Sequence, residues 1–183
     1  RGGRGVRARA AAADPQGRAS EGAGSMTRSL EEEFSLPAKL AAIALALRSF
    51  PNDRMRYQQL LALASKLAPM PQELKTPARK VPGCLSTVYL HAVAKDDGTI
   101  EWLGDSDALI SKGLVALLVN GLSGCTAQEI ASVDPAFINS SGITASLTPG
   151  RNNGFYNMFK LMKKQAEEVA AGGPRPSTSH RDV

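Results

Sequence analysis

A chain of 183 residues with 43% hydrophobic content is long enough for one domain with a real core plus extended ends. No apolar run reaches the roughly 18 residues of a transmembrane helix, and two cysteines make neither a disulfide framework nor a zinc site. The net charge of +5 is not a nucleic-acid footprint, because segment 30–171 carries fourteen basic and fourteen acidic side chains and the excess sits at the ends.

Residues 1–29, with six arginines against Asp14 and Glu21, are rich in Arg, Ala and Gly. They read as a disordered leader whose composition resembles the end of an organelle transit peptide; a plain polyanion-binding arm is the alternative. Ser35 before Pro37 predicts a helix start, with Leu40, Ile43 and Leu47 at helical spacing. Pro51-Asn52 opens a second helix in which Met55, Leu60, Leu63 and Leu67 share a face. Four prolines between Ala68 and Gly83 exclude a regular element there.

Leu85 to Val93, a turn at Asp96-Asp97-Gly98, and Thr99 to Leu103 predict a β-hairpin. DSDALISKGLVALLVNGL then predicts a helix capped by Asp105 or Ser106, with Ile110, Leu114, Leu117 and Leu118 toward the core. Thr126 with Glu129 fits a capping box, Asp134-Pro135 starts a short helical piece, and Thr148-Pro149 introduces a last helix with a Phe155, Met158, Met162 and Val169 stripe. Gly172-Gly173-Pro174 ends it, and 172–183 read as a disordered tail or linker. Two helices, an antiparallel hairpin and further helices make an α+β domain over 30–171.

Few residues invite chemistry. Cys84 leads into an apolar strand, where a free cysteine is ordinarily core. It also follows a proline-rich stretch and Gly83, which suits an exposed loop, and Arg79 and Lys80 would favour a thiolate if the fold brought them close. His91, inside the strand, reads as half-exposed, and no Cys–His pair is evident. Asp105 and Asp107 read as helix caps rather than an acid–base pair. Cys125 reads as structural.

Three blocks occur in order: G-C-x-S-x-V at Gly83 to Val88, D-S-D-A with K-G-L at Asp105 to Leu114, and L-T-P-x-R-x-x-G at Leu147 to Gly154. In these, residues 35–170 resemble the SufE family of sulfur-acceptor proteins. The resemblance implies an IscU-like α+β fold with a small antiparallel sheet packed against helices. It implies that Cys84 accepts persulfide sulfur from a SufS-type cysteine desulfurase, stimulates it, and passes sulfur to the SufBCD complex for iron–sulfur cluster assembly.

On this reading the chain is a carrier and activator rather than an enzyme. It has no resident cofactor or metal (PLP belongs to the desulfurase) and no nucleic-acid or membrane partner, and whether it forms a homodimer stays open. Gly83 would let the loop turn, Asp105 would support the hairpin, and Arg151 would contact the loop or the desulfurase; Lys112 is a weaker candidate of the same kind. Plant members of the family are plastid proteins, so the expected site is the plastid stroma, with the mitochondrion as alternative. An IscU-like cluster scaffold and a catalytically silent interaction domain are the rival readings.

Overall fold

The computed structural model describes residues 15–172. Three helices come first: α1 (Pro15–Phe34), α2 (Ala38–Ser49) and α3 (Asp53–Lys66). The hairpin follows as β1 (Val88–Ala94) and β2 (Thr99–Ser106), then α4 (Leu109–Leu122), a two-residue β3 (Cys125–Thr126), α5 (Ala127–Ser132), α6 (Phe137–Ser140) and α7 (Pro149–Ala170). The sheet is antiparallel in the order β1-β2-β3, and the expected α+β class holds.

The hydrophobic pattern places α4 at the centre. Leu114, Val115, Leu117, Leu118 and Leu122 are all fully buried, so α4 is apolar around its circumference. It packs on β2 on one side and on α2 and α3 on the other. Glycines set the distance: a Cβ on Gly113 would stand 2.5 Å from the Leu60 carbonyl oxygen, and one on Gly121 would stand 2.6 Å from a Leu40 methyl. Leu40 and Leu47 of α2 and Leu60 of α3 close the opposite side of this layer. On α7 the expected stripe is present: Phe155, Met158 and Met162 are buried, and Val169 packs partly against the core.

Several local expectations are corrected. Residues 15–29, read as an unstructured leader, are helical from Pro15 on; Leu30 and Phe34 then anchor the helix in the core. Residues 1–14 and 173–183 lie outside the described residues. Ser35 caps nothing: it takes φ 52°, breaking the chain between α1 and α2, and α2 starts after Pro37 with no side-chain cap. Asn52 does cap α3, accepting from the Met55 N–H at 3.0 Å, but on α3 it is Leu60 and Ala64 that are buried, while Met55 is exposed. Neither Asp105 nor Ser106 caps the first turn of α4, whose N-cap Ala108 has no capping side chain, because β2 extends through both residues; Ser106 Oγ accepts from the Ala108 N–H at 3.3 Å instead. The capping box at Thr126 and Glu129 is present.

β1 is a sheet edge with unpaired backbone groups, and two segments cover it. Toward its start, Val81 N–H donates to the Val88 carbonyl at 2.8 Å and Lys80 bridges Tyr89. Further along, the Gln165 amide of α7 accepts from Ala92 N–H at 2.9 Å and donates to the Leu90 carbonyl at 3.0 Å. One side chain thus stands in for a neighbouring strand. Gln165→Ala leaves both groups without partners in a part-buried position. It is expected to lower unfolding free energy by about 2 kcal/mol in a denaturant titration, with faster hydrogen exchange at Ala92.

Candidate functional site

The proline-rich stretch before Cys84 is not formless. It makes two single turns of 3-10 helix, Gln72–Leu74 and Pro77–Arg79. Arg79 Nη1 donates to the Leu74 carbonyl, and its Nε donates to His91 Nδ1 at 3.1 Å. His91 is therefore not half-exposed: it is 9% exposed and accepts a bond that requires the neutral ring. Burial first, and the Arg79 charge second, push its pKa down and keep it neutral.

From Val81 the chain leaves the edge of β1 and turns at Gly83, whose φ of 69° is the left-handed conformation that favours glycine. The next residues lie on α7. A Cβ on Gly83 would stand 2.8 Å from Asn157 Nδ2. A Cβ on Gly154 would stand 3.3 Å from Cys84 Sγ, and one on Gly150 would stand 2.5 Å from Leu85 Cδ1. Positions 150, 154 and 157 recur at i, i+4 and i+7, one face of the helix. Three consecutive loop residues thus rest on three successive stations of α7, two of them glycines that leave room for the sulfur and the leucine.

The Cys84 thiol donates to the Gly154 carbonyl at 3.6 Å. Beyond the seat the loop is tied to the start of α4. Ser86 Oγ donates to Ser111 Oγ at 2.7 Å, Thr87 N–H donates to Asp107 Oδ1 at 2.9 Å, and Asp107 N–H donates to the Thr87 carbonyl at 3.2 Å. Asp107 accordingly stitches the base of the loop rather than capping α4.

A cavity of about 150 Å³ opens beside the thiol, lined among others by Cys84, Ser86, Ser111, Arg151, Gly154 and Met158. Two leucines stand in water here: Leu85, which lines the cavity, is 81% exposed, and Leu109, next in the chain to the lining residue Ala108, is 66% exposed. The arginine sits half-buried in the first turn of α7, its guanidinium without an ion-pair partner among the described residues. Burial pushes the Cys84 thiol above the ordinary cysteine pKa. The expected help from Arg79 and Lys80 is absent, since Arg79 is engaged with His91 and Lys80 is exposed to solvent. In this conformation the sulfur is a sheltered, neutral thiol.

Asp105 stands behind the loop on β2, in ion pairs with Lys75 at 2.6 Å and Lys112 at 2.9 Å. Burial acts to raise its pKa, but the two ammonium groups and the Ser106 N–H outweigh it and hold the carboxyl below its usual range. It joins the 3-10 segment, the sheet and α4 into one support. Cys125 is buried on β3 opposite Ile100, whereas Cys84 lies near the Ser106 end of β2. About 20 Å of strand separates those ends, too far for a disulfide or a shared metal. Among the described residues, no group of three His, Cys, Asp or Glu side chains is placed to hold a metal ion.

Cys84, Gly83 and Arg151 thus meet at one place, with Asp105 behind it. Ser111, Gly150 and Leu109 were not singled out from sequence. Each lies in or beside a block noted there, but only the packing of α4 and α7 against the loop reveals what it touches.

This is a small α+β domain presenting one loop cysteine over a cavity between two helix starts. Residues 41–166 match the SufE family model, described as an Fe-S metabolism associated domain, and the chain belongs to that family. It is 48% identical over 132 residues to an uncharacterized SufE-like protein of Synechocystis sp., covering 72% of this chain and 82% of that one. It is 39% identical to SufE-like protein 1, chloroplastic/mitochondrial, of Arabidopsis thaliana, covering 79% of this chain and 39% of that one. It is 34% identical to the sulfur acceptor protein CsdE of Escherichia coli, covering 62% of this chain and 78% of that one. The solution structure of a hypothetical protein from Thermus thermophilus superposes with a TM-score of 0.66 at 25% identity, covering 74% of this chain and 98% of that one.

The seat makes a direct prediction. Gly154→Ala gains helix propensity of about 1 kcal/mol, yet its methyl crowds Cys84 Sγ from 3.3 Å. The thiol is expected to leave its shelter and alkylate several-fold faster near neutral pH. Its pH–rate profile should move toward the ordinary thiol value, since release from burial restores thiolate at lower pH. An unchanged profile, measured with Cys125→Ser to silence the second thiol, would show that the seat does not control the sulfur.

Proposed function

We propose that this chain is a sulfur acceptor that takes persulfide sulfur from a SufS-type cysteine desulfurase onto Cys84. The observation that carries the reading is the placement of Cys84. Its thiol is half-buried against Gly154, at the tip of a loop seated on α7 by side-chain contacts and one weak S–H bond, beside a cavity with room for another sulfur. A water molecule's share of liquid is about 30 Å³, so about 150 Å³ admits one more sulfur atom. The names of relatives point the same way: CsdE is a sulfur acceptor, and a Plasmodium vivax relative, 40% identical with 59% of its length covered, is a cysteine desulfuration protein.

The step is a thiol–disulfide type exchange. Cys84 thiolate attacks the outer sulfur of the desulfurase persulfide; the new S–S bond forms as the old one breaks, and the desulfurase cysteine leaves as a thiolate. No outside oxidant is needed, because the sulfane sulfur changes carrier without changing oxidation level. No cofactor resides on this chain in this reading, and the PLP belongs to the desulfurase. Because the resting thiol is protonated and sheltered, docking must lift the loop off α7 for the nucleophile to form and reach its target. Clearing the desulfurase persulfide frees that enzyme for another turn, which is the activation. Delivery to a SufBCD complex in a plastid extends the same reading; for the compartment, the names of plant relatives, one chloroplastic/mitochondrial and one chloroplastic, support an organelle.

The decisive experiment mixes the protein with a SufS-type desulfurase and cysteine, and follows sulfide release and the mass of each cysteine peptide. One added sulfur on the Cys84 peptide is expected, with stimulation abolished in Cys84→Ser and retained in Cys125→Ser. Absence of both adduct and stimulation would leave Cys84 a structural thiol.

A further inference from the structure

The cavity beside Cys84 carries more polar chemistry than a neutral thiol needs. Ser111 is 4% exposed in the first turn of α4, with its Oγ 2.7 Å from Ser86 Oγ, and both residues line the cavity. Two hydroxyls own two protons, and a single bond between them uses one. The other has no acceptor among the described residues and is free to be donated.

The surroundings favour negative charge. Ala108, the N-cap of α4, has no capping side chain; its own N–H donates to Ser106 Oγ at 3.3 Å, and the first-turn N–H groups of Leu109, Ile110 and Ser111 have no side-chain acceptor among the described residues. The N-cap of α7, Thr148, likewise makes no capping side-chain bond, and Arg151 lies in its first turn. Two helix starts therefore turn their positive ends toward one cavity. Of the acids nearby, Asp107 is engaged with the Thr87 N–H, and Asp105 is neutralised by Lys75 and Lys112.

We propose that the Ser86–Ser111 hydroxyl pair is the binding site for the terminal sulfur of a Cys84 persulfide, held as a perthiolate anion between the first turns of α4 and α7. The site rests on the reading of Cys84 as a sulfur acceptor and specifies where the accepted sulfur sits. A persulfide is a stronger acid than its parent thiol, and its outer sulfur lies about 2.05 Å beyond Sγ. The charge that burial denies the resting thiol therefore forms further into the cavity, where the hydroxyl proton meets it. On delivery, an acceptor thiolate attacks that outer sulfur, the S–S bond breaks, and Cys84 departs as a thiolate that takes up a proton as the loop settles on α7. The hydroxyl pair thus protects the cargo between partners.

The test loads Cys84 with inorganic polysulfide in a Cys125→Ser background, so no desulfurase is involved. Perthiolate absorbance against pH, and the rate of sulfur loss to a thiol reductant, are compared for the parent, Ser111→Thr and Ser111→Val. Thr keeps the hydroxyl, and Val has the same shape without it. Ser111→Val is expected to raise the persulfide's apparent pKa by about one unit and to speed sulfur loss about tenfold, with Ser111→Thr close to the parent. Equal behaviour of Thr and Val variants overturns the proposal. Should Ser111→Val fail to fold, Ser111→Ala is read the same way, because it too removes the hydroxyl whose proton is free. Correct titration of polysulfide-loaded protein together with no loading by a desulfurase would reject the acceptor reading and leave this site standing.

Discussion

A helix that is apolar on every side must be enclosed, and the enclosure of α4 organises this domain. Sheet, α2 and α3 are its walls, and the glycines at 113 and 121 bring two of those walls to backbone distance. A close-packed interior of this kind is rigid. Its rigidity matters at one end, where the first turn of α4 emerges from the core uncapped beside the cysteine loop. The loop therefore moves, or stays, against a fixed frame.

The loop is held with unequal strength along its length. Thr87 and Asp107 exchange two hydrogen bonds and Ser86 joins Ser111, so its base is firm. Gly83, Cys84 and Leu85 are held mostly by shape on α7. Contacts of that kind are individually small and are lost together, so a partner that covers the exposed Leu85 and Leu109 has little to overcome in lifting the tip. Firm base and loose tip suit a group that must be sheltered between encounters and presented during one.

Electrostatics divide the same way. Behind the loop, the Asp105 carboxylate is held between two lysines and His91 is kept neutral under Arg79. Arg151 at the cavity has no such partner among the described residues, and the helix starts beside it lack capping side chains. Arg151 and the two helix starts thus place positive potential beside the cavity that Cys84 lines.

Much of this was legible in the chain itself. Apolar spacing located the core helices, Asp96-Asp97-Gly98 marked the hairpin, Thr126 and Glu129 marked a cap, and three short blocks around Cys84, Asp105 and Arg151 pointed to the family, because each depends on neighbours a few residues away. The roles of Asp105 and Asp107 did not follow. A carboxylate before a helix reads locally as a cap, but β2 extends through Asp105 and Ser106, and the nearest needs of these acids turned out to be Lys75, Lys112 and Thr87. Nor did the state of Cys84 follow from Arg79 and Lys80, since proximity along a chain is not proximity in space. Which residues support the sulfur was decided by where α7 lands on the loop, seventy positions after Cys84. Local sequence dictates the elements; only the packing of distant elements decides which side chains share a cavity, and with it the acidity and shelter of the thiol.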